Sequence, residues 1–236
     1  MRLRSRKAHI WSGDYLAHRY LWANLDAAVK QAKAELPADS KVVLDVGCGN
    51  RPYADLFTDC RYIGLNYSAR DARPDVIADA ITLPIATGAI DLVFCTQVLE
   101  HLPKPWRFMQ ECHRVLKIGG WMVLSAPFYW PLHEEPHDYF RYTRYGLQDL
   151  VLSAGFTRCE IKADGGDQAR FWLSAIHTSP KWLRRILHIP FNVLGLVLDK
   201  LFFSVEFPAN YTLLACRAPR PSQSSESRRS HDRTGE

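Results

Sequence analysis

Two groups of residues in this 236-residue chain have the types and spacing to do chemistry. One is Asp45-Val46-Gly47-Cys48-Gly49, which follows Val42, Val43 and Leu44. The β-prone apolar residues deliver a carboxylate to a point where two glycines let the backbone turn sharply with nothing projecting from it. Ligands of open α/β sheets bind beyond the carboxyl ends of the strands, so a bare turn there favours a nucleotide-like ligand. The other group lies in residues 127–142, where His133, Glu134, Glu135, His137 and Asp138 crowd among aromatic residues and three prolines. Imidazoles change charge near neutral pH, which makes His133 and His137 the candidates for a general base or an acceptor-orienting group. The competing reading is a hydrogen-bonded lid organised with Arg141.

The glycine turn does not suit a dinucleotide. That fingerprint wants a third glycine where the helix packs on the strand, and an acid about 20 residues later for the ribose. Here Pro52 follows the turn and Asn66 ends the second strand. Proline also removes one of the N–H donors a pyrophosphate would use. A carboxylate at Asp45 would repel phosphate and attract a cationic or amine-bearing ligand.

The elements that must position these groups alternate. Apolar residues at spacings of three and four mark a helix over residues 15–36, closed by Pro37 and expected to pack over the mouth of the sheet. Strands are expected at 41–46, 61–65, 76–77, 90–95, 121–126, 156–163 and 211–217, with helices at 53–57, 106–116 and 143–153 between them. The glycine pair 119–120 is read as the stop of the 106–116 helix, and Thr143 as a cap. This rhythm implies an α/β fold, a mostly parallel sheet with helices on both faces.

Charge and cysteine usage bound the rest. Of the net +5, Arg2, Arg4, Arg6 and Lys7 supply four charges and residues 218–236 one, so the body is neutral and no nucleic-acid groove is expected. Six scattered cysteines with no Cys-x-x-Cys pair suggest neither a zinc ribbon nor a disulfide framework, and fit a cytoplasmic protein. His9, Ser12, Gly13 and Asp14 interrupt the basic start before a signal-peptide core develops. The organisation reads as a helical extension (1–37), one domain (38–217) and a disordered tail (218–236).

An apolar insertion fills residues 171–207. His188, Asn192, Gly195 and Asp199 recur every three or four residues, a polar stripe on an otherwise apolar helix that Pro190 is expected to start. The helix is too interrupted to span a membrane. It either docks on the domain, contacts a membrane surface through 181–205 with Lys181, Arg184 and Arg185, or pairs two copies; the oligomeric state stays open.

In this order of elements the chain resembles the class I S-adenosylmethionine-dependent methyltransferases, especially bacterial members with the Leu-Asp-Val-Gly-Cys-Gly motif. The likeness covers residues 42–156 and, more loosely, extends to 217: Val-Leu-Asp-Val-Gly-Cys-Gly at 43–49, Tyr-Ile-Gly-Leu-Asn at 62–66, Ala-Asp-Ala-Ile-Thr-Leu-Pro at 78–84, Ile-Asp-Leu-Val-Phe-Cys at 90–95, Val-Leu-Glu-His-Leu at 98–102 and Arg-Val-Leu-Lys-Ile-Gly-Gly at 114–120. The resemblance implies a seven-stranded Rossmann-like sheet with one antiparallel strand. It also implies S-adenosylmethionine as cofactor, with Asp45, Gly47 and Gly49 on its methionine and ribose side. Asp79 and the Ala80 backbone would read the adenine amino group, and Gln97 would lie under the cofactor. Asn66 departs from the family's acid at the ribose hydroxyls; an amide can accept one hydrogen bond and donate another. Cys48, inside the motif, is a small filler against the cofactor rather than a nucleophile.

The expected activity is methyl transfer to a small-molecule, sugar or lipid-linked acceptor, at oxygen. Its rivals are a non-catalytic binding module on the same fold and a nicotinamide-dependent enzyme. Glu100 and His101 with His133 and His137 have metal-ligand chemistry, but Gln97 offers no carboxylate and nothing in the spacing enforces convergence, so no metal site is expected.

Overall fold

The computed structural model describes residues 9–37, 41–70 and 72–218. Seven strands form one sheet: β1 (Val42–Val46), β2 (Arg61–Asn66), β3 (Val76–Ile77), β4 (Ile90–Thr96), β5 (Leu116–Pro127), β6 (Arg158–Ala163) and β7 (Asn210–Cys216). Their order is β3-β2-β1-β4-β5-β7-β6. Only β7 runs antiparallel to its neighbours β5 and β6, whereas β1 pairs parallel with both β2 and β4. The strand order reverses between β1 and β4, which opens a crevice at their carboxyl ends.

Alternation along the strands builds a core on each face. On β4, Val93 and Cys95 join the side packed by Phe108, Met109 and Cys112 of α2 (Pro105–Val115) and Leu147 and Val151 of α3 (Arg144–Ser153). Leu92 and Phe94 join the other side, covered by Leu21, Leu25 and Val29 of α1 (Tyr15–Glu35). The expected cap holds: the Thr143 hydroxyl accepts from the Gly146 N–H at 3.0 Å.

Two expectations are corrected. Helix α2 ends at Val115, before the glycine pair, and Gly119 and Gly120 lie inside β5. Leu116 already pairs with Ile90, and the register shifts before Leu92 meets Trp121, so the glycines accommodate an irregularity in a strand. Pro190 does not start its helix. It lies inside α5 (Lys181–Leu201), which begins after Pro180. The apolar periodicity runs through Pro190 from Trp182, and the proline sits on the exposed side, where water can hydrate the carbonyl left without a donor.

The insertion is a hairpin of α4 (Asp167–Thr178) and α5. The stripe at 192, 195 and 199 is its buried face. Asn192 donates to the carbonyls of Ile10 and Ser12 at 2.6 and 2.9 Å, and His188 bonds the Trp11 carbonyl. Asp199 accepts from the N–H groups of Gly166 and Ala169, both at 3.0 Å, and so caps the first turn of α4. A Cβ at Gly195 would lie 2.6 Å from Leu16, which explains a glycine where α5 crosses α1. The apolar side faces outward: Trp182 is 76% exposed, Ile186 68% and Leu201 66%. No helix among the described residues is long and apolar enough to cross a membrane. The basic residues before position 8 and the tail from 219 lie outside the described residues.

Candidate active site

A cavity of about 220 Å³ opens at the crevice between β1 and β4. Its floor is Asp45, Gly47, Cys48 and Gly49 from the β1 turn, with Thr96 and Gln97 from the end of β4. Ala17, His18 and Leu21 of α1 cover it, as the sequence led us to expect. Trp130, His133 and Glu134 of the proline-rich loop close the remaining side.

The two glycines serve different ends. Gly47 has φ +77°, and a Cβ there would lie 2.2 Å from Val98 Cγ2, so the position is closed by the protein's own packing. Gly49 has φ +48° and open space where a Cβ would project. The N–H groups of Gly47 and Cys48 both donate to the Leu65 carbonyl, at 2.8 and 3.1 Å, which anchors the turn on β2. Burial pushes the Cys48 thiol up to about 12, and its sulfur packs against Gly64, as a filler would.

Asp45 is 2% exposed. Burial raises its carboxyl from 3.8 to about 7, against the lowering influence of the Tyr62 hydroxyl that donates to it and of Arg51. Gln97 has φ +53°, a conformation that costs a non-glycine residue roughly 1–2 kcal/mol. Its backbone and side chain are both tied to Ser125, by the N–H to the carbonyl and the amide to the hydroxyl.

Asn66, Asp79 and Ala80 lie at or just beyond the carboxyl ends of β2 and β3, outside the walls of this cavity. The Asn66 amide donates to the Ser68 carbonyl at 2.7 Å, and Asp79 accepts from the Ile81 N–H at 3.0 Å.

The proline-rich loop has no helix or strand, and Arg141 organises it. Its guanidinium grips both Asp138 oxygens at 2.6 and 2.7 Å and donates to the carbonyls of Trp130, Pro131 and Phe140. That pairing holds the Asp138 carboxyl well below the usual carboxylate range. Of the two candidate bases, His133 meets the cavity, whereas His137 is exposed, outside its walls, with Nδ1 bonded to the Tyr139 hydroxyl at 3.0 Å.

His101 stands beside His133, with ring centroids 4.8 Å apart. Behind both is Glu100, fully buried in the 3-10 turn Leu99–His101, with neither carboxylate oxygen hydrogen-bonded among the described residues. Burial raises its carboxyl to about 8. The fold thus supplies a convergence of Glu100, His101 and His133 that their spacing did not announce. Sequence reasoning also missed His18 and Asn210, which line the cavity from α1 and from the start of β7. Asn210 Oδ1 is buried without a hydrogen-bond partner among the described residues. A helix position and a strand end carry no local signal of what they will face.

Asp45 and Glu134 contribute carboxylates, Asn210 an unused acceptor, and no lysine or arginine lines the cavity among the described residues. Such walls suit an amine and a sulfonium, and they do not suit a pyrophosphate.

Comparison with known proteins gives the same direction. Residues 44–124 match the family model described as a methyltransferase domain. A probable S-adenosylmethionine-dependent methyltransferase of Mycolicibacterium smegmatis is 33% identical over 158 residues, covering 60% of this chain and 61% of the relative. An uncharacterized methyltransferase of Mycobacterium leprae is 36% identical over 102 residues, 38% of each chain, so this chain spans about two fifths of that relative's length. Among solved structures, a SAM-dependent methyltransferase from Archaeoglobus fulgidus superposes with TM-score 0.55 at 17% identity, over 81% of this chain and 92% of that one. The cyclase SpnF does so with TM-score 0.52 at 20% identity, over 82% and 80%. With its motifs in order along this sheet and these matches, the chain has the class I methyltransferase fold, and its residues 44–124 match the methyltransferase domain.

Proposed function

We propose that this protein transfers the methyl group of S-adenosylmethionine to a hydroxyl of a small, lipid-linked acceptor at a membrane surface. The observation that carries the cofactor assignment is a crevice at the sheet's switch point with two carboxylates and no cationic side chain among the described residues. When bound, the cofactor supplies an electrophilic methyl group on a sulfonium. Asp45 would hold its cationic end, the open side of Gly49 would admit it against the backbone, and Gln97 would lie beneath it. Asn66 would meet the ribose hydroxyls, and Asp79 with the Ala80 backbone would meet the adenine, from the neighbouring strand ends. His18 and Leu21 on α1 help to exclude water. His101 and His133 orient an acceptor hydroxyl at the open side of the cavity, next to Glu134.

The nature of the acceptor is argued from its approach. A second cavity of about 250 Å³, lined by Phe128, Tyr129, Pro131 and Leu173, shares Trp130 with the first. It lies against α4, whose hairpin partner α5 turns Trp182, Ile186, Ile189, Val193 and Val197 outward. The sole acid of α5, Asp199, is buried, while Lys181, Arg185 and Lys200 are exposed at its two ends. An apolar face framed by cations fits an anionic lipid surface. Two copies facing each other through α5 would instead oppose like charges, since no exposed acid is available on the helix.

Calorimetry with S-adenosylmethionine and with NAD tests the cofactor; a response to NAD alone overturns the assignment. Labelled cofactor incubated with lipid-extract and aqueous fractions tests the acceptor. Label is expected in a lipid-phase product, with the new methyl on oxygen. Label confined to the aqueous phase would refute the lipid-linked acceptor, and cofactor binding without transfer to any fraction would favour a binding module on the same fold.

A further inference from the structure

We propose that Glu100, His101 and His133 bind a divalent first-row cation, zinc by the chemistry of the ligand set, at the wall of the cavity. One oxygen, Glu100 Oε1, lies 3.8 Å from His101 Nε2 and 3.9 Å from His133 Nε2. The three ligand atoms are all within 4.8 Å of one another. Tetrahedral zinc with bonds of 2.0–2.1 Å holds its ligands about 3.3 Å apart, so each of the two measured separations closes by about 0.5 Å to receive it.

The hydrogen bonding around the imidazoles fixes their orientation. His101 Nδ1 faces the His137 carbonyl at 2.6 Å, and His133 Nδ1 faces the Pro131 carbonyl at 3.2 Å with Asp138 Oδ2 at 3.3 Å. A carbonyl can only accept, so Nδ1 carries the hydrogen in both rings and the Nε2 lone pairs turn toward Glu100. An acceptor behind each ligating histidine is the usual outer support of a metal site. The Arg141–Asp138 pair, which fixes the His133 backbone N–H at 2.9 Å, extends that support.

Glu100 provides an independent observation. Its side chain is fully buried, and both oxygens lack a hydrogen-bond partner among the described residues. A buried carboxylate without hydrogen bonds is disfavoured, and it either holds a proton or meets a cation. Elsewhere the fold supplies partners to buried acids: Asp199 has two backbone N–H groups, and Oδ1 of Asp164 has Asn24 and Thr212, although its Oδ2 has none among the described residues. Two imidazoles and one carboxylate form a borderline-soft set that favours zinc over magnesium or calcium. Three protein ligands leave a fourth position open. Because His101 and His133 line the cavity, that position faces it. There an acceptor oxygen can bond to the cation and release its proton to water. This catalytic use rests on the methyl-transfer reading; cation binding does not.

The test uses the full chain, stripped with a chelator and titrated with Zn²⁺ and with Co²⁺. We expect one cation per chain, and visible Co²⁺ bands of four-coordinate intensity. Glu100→Gln and His133→Asn should each weaken binding by more than about 100-fold, beyond the loss usual for an outer-support residue. Circular dichroism checks folding, and His133→Asn decides the question if Glu100→Gln does not fold. His137→Ala, which keeps the carbonyl behind His101, should bind like the parent. Binding well below one equivalent, or cobalt bands that persist in a His101→Asn/His133→Asn variant, would overturn the proposal. If S-adenosylmethionine still binds and transfers methyl to its acceptor without any cation, the catalytic use of the cation falls while the methyl-transfer reading stands; stoichiometric cation binding without any methyl transfer overturns that reading and leaves the metal site intact.

Discussion

The strand-end cavity and the α4–α5 hairpin both bury polar side chains, and they differ in what those side chains meet. In the hairpin, both oxygens of Asp199 and the amide nitrogen of Asn192 are consumed by backbone groups of the same chain. In and around the cavity, Glu100 and Asn210 keep oxygens without a partner among the described residues, and Asp45 is raised to about 7 by its burial. Buried polarity is therefore not itself a sign of a site. An unpartnered atom is not sufficient either, since Asn192 Oδ1 and His188 Nε2 of the hairpin are also left without a partner among the described residues; a whole carboxylate left unpartnered beside two imidazoles is the better guide. The hairpin inverts the usual arrangement as well: its polar stripe packs inward and its apolar residues face out.

Five variants, one of them double, can break or sharpen this contrast, beginning with the largest expected effect on folding. Gly47→Ala combines a positive φ with a Cβ 2.2 Å from Val98, and should cost about 3 kcal/mol in denaturant unfolding. Gly49→Ala, open on its Cβ side, should cost about 1 kcal/mol and act mainly on cofactor affinity. A large unfolding cost at Gly49 would mean that both glycines serve packing.

Asp199→Ala strips two N–H groups of their acceptor and should lower stability by about 2–3 kcal/mol while calorimetric cofactor affinity per folded molecule is unchanged. If affinity fell instead with stability intact, the hairpin would belong to the site.

Asp45→Asn should do the opposite, preserving the fold and weakening S-adenosylmethionine binding by about 10- to 100-fold at pH 8. The pH dependence follows from the sign of the shift. Folding raises this carboxyl from 3.8 to about 7, so its contribution to stability is complete below about pH 4 and is lost as pH rises through 7. A cationic ligand needs the ionised form, so affinity should increase through that same upper limit, and the slope should vanish in the variant. A flat profile in the parent protein would remove Asp45 from the cationic end of the cofactor.

The smallest effect on folding is expected on the outer face. Ile186→Glu with Val193→Glu should change stability by no more than about 0.5 kcal/mol each, because both residues are exposed. Sedimentation with anionic vesicles should nevertheless fall by about tenfold or more. Vesicle binding that survives, or that never occurs in the parent, would return the apolar face to another partner.

Much of this architecture was legible because it rests on local rules. The β1 turn announced itself by apolar residues, a carboxylate and two glycines, and α1 by its spacing. Boundaries failed where a single residue was taken as punctuation. Gly119-Gly120 fits a strand irregularity as readily as a helix stop, and Pro190 lies within a helix whose apolar repeat continues on both sides. The polar stripe at 188, 192, 195 and 199 was visible in the periodicity, but its direction was not. A helical repeat shows that two faces exist, and only the neighbours decide which one is buried.

The sequence by itself determined an alternating α/β sheet, a glycine turn with an acid before it, and a loop rich in imidazole and carboxylate. Those features arise from contacts a few residues apart, where side-chain type dictates backbone choice. Only the tertiary structure brought Glu100 and His101 to His133, separated His137 from them, and turned α5 with its apolar side to solvent. Those outcomes depend on contacts between residues about 30 to 190 apart in the chain. Such distances leave no periodic trace for the sequence to carry.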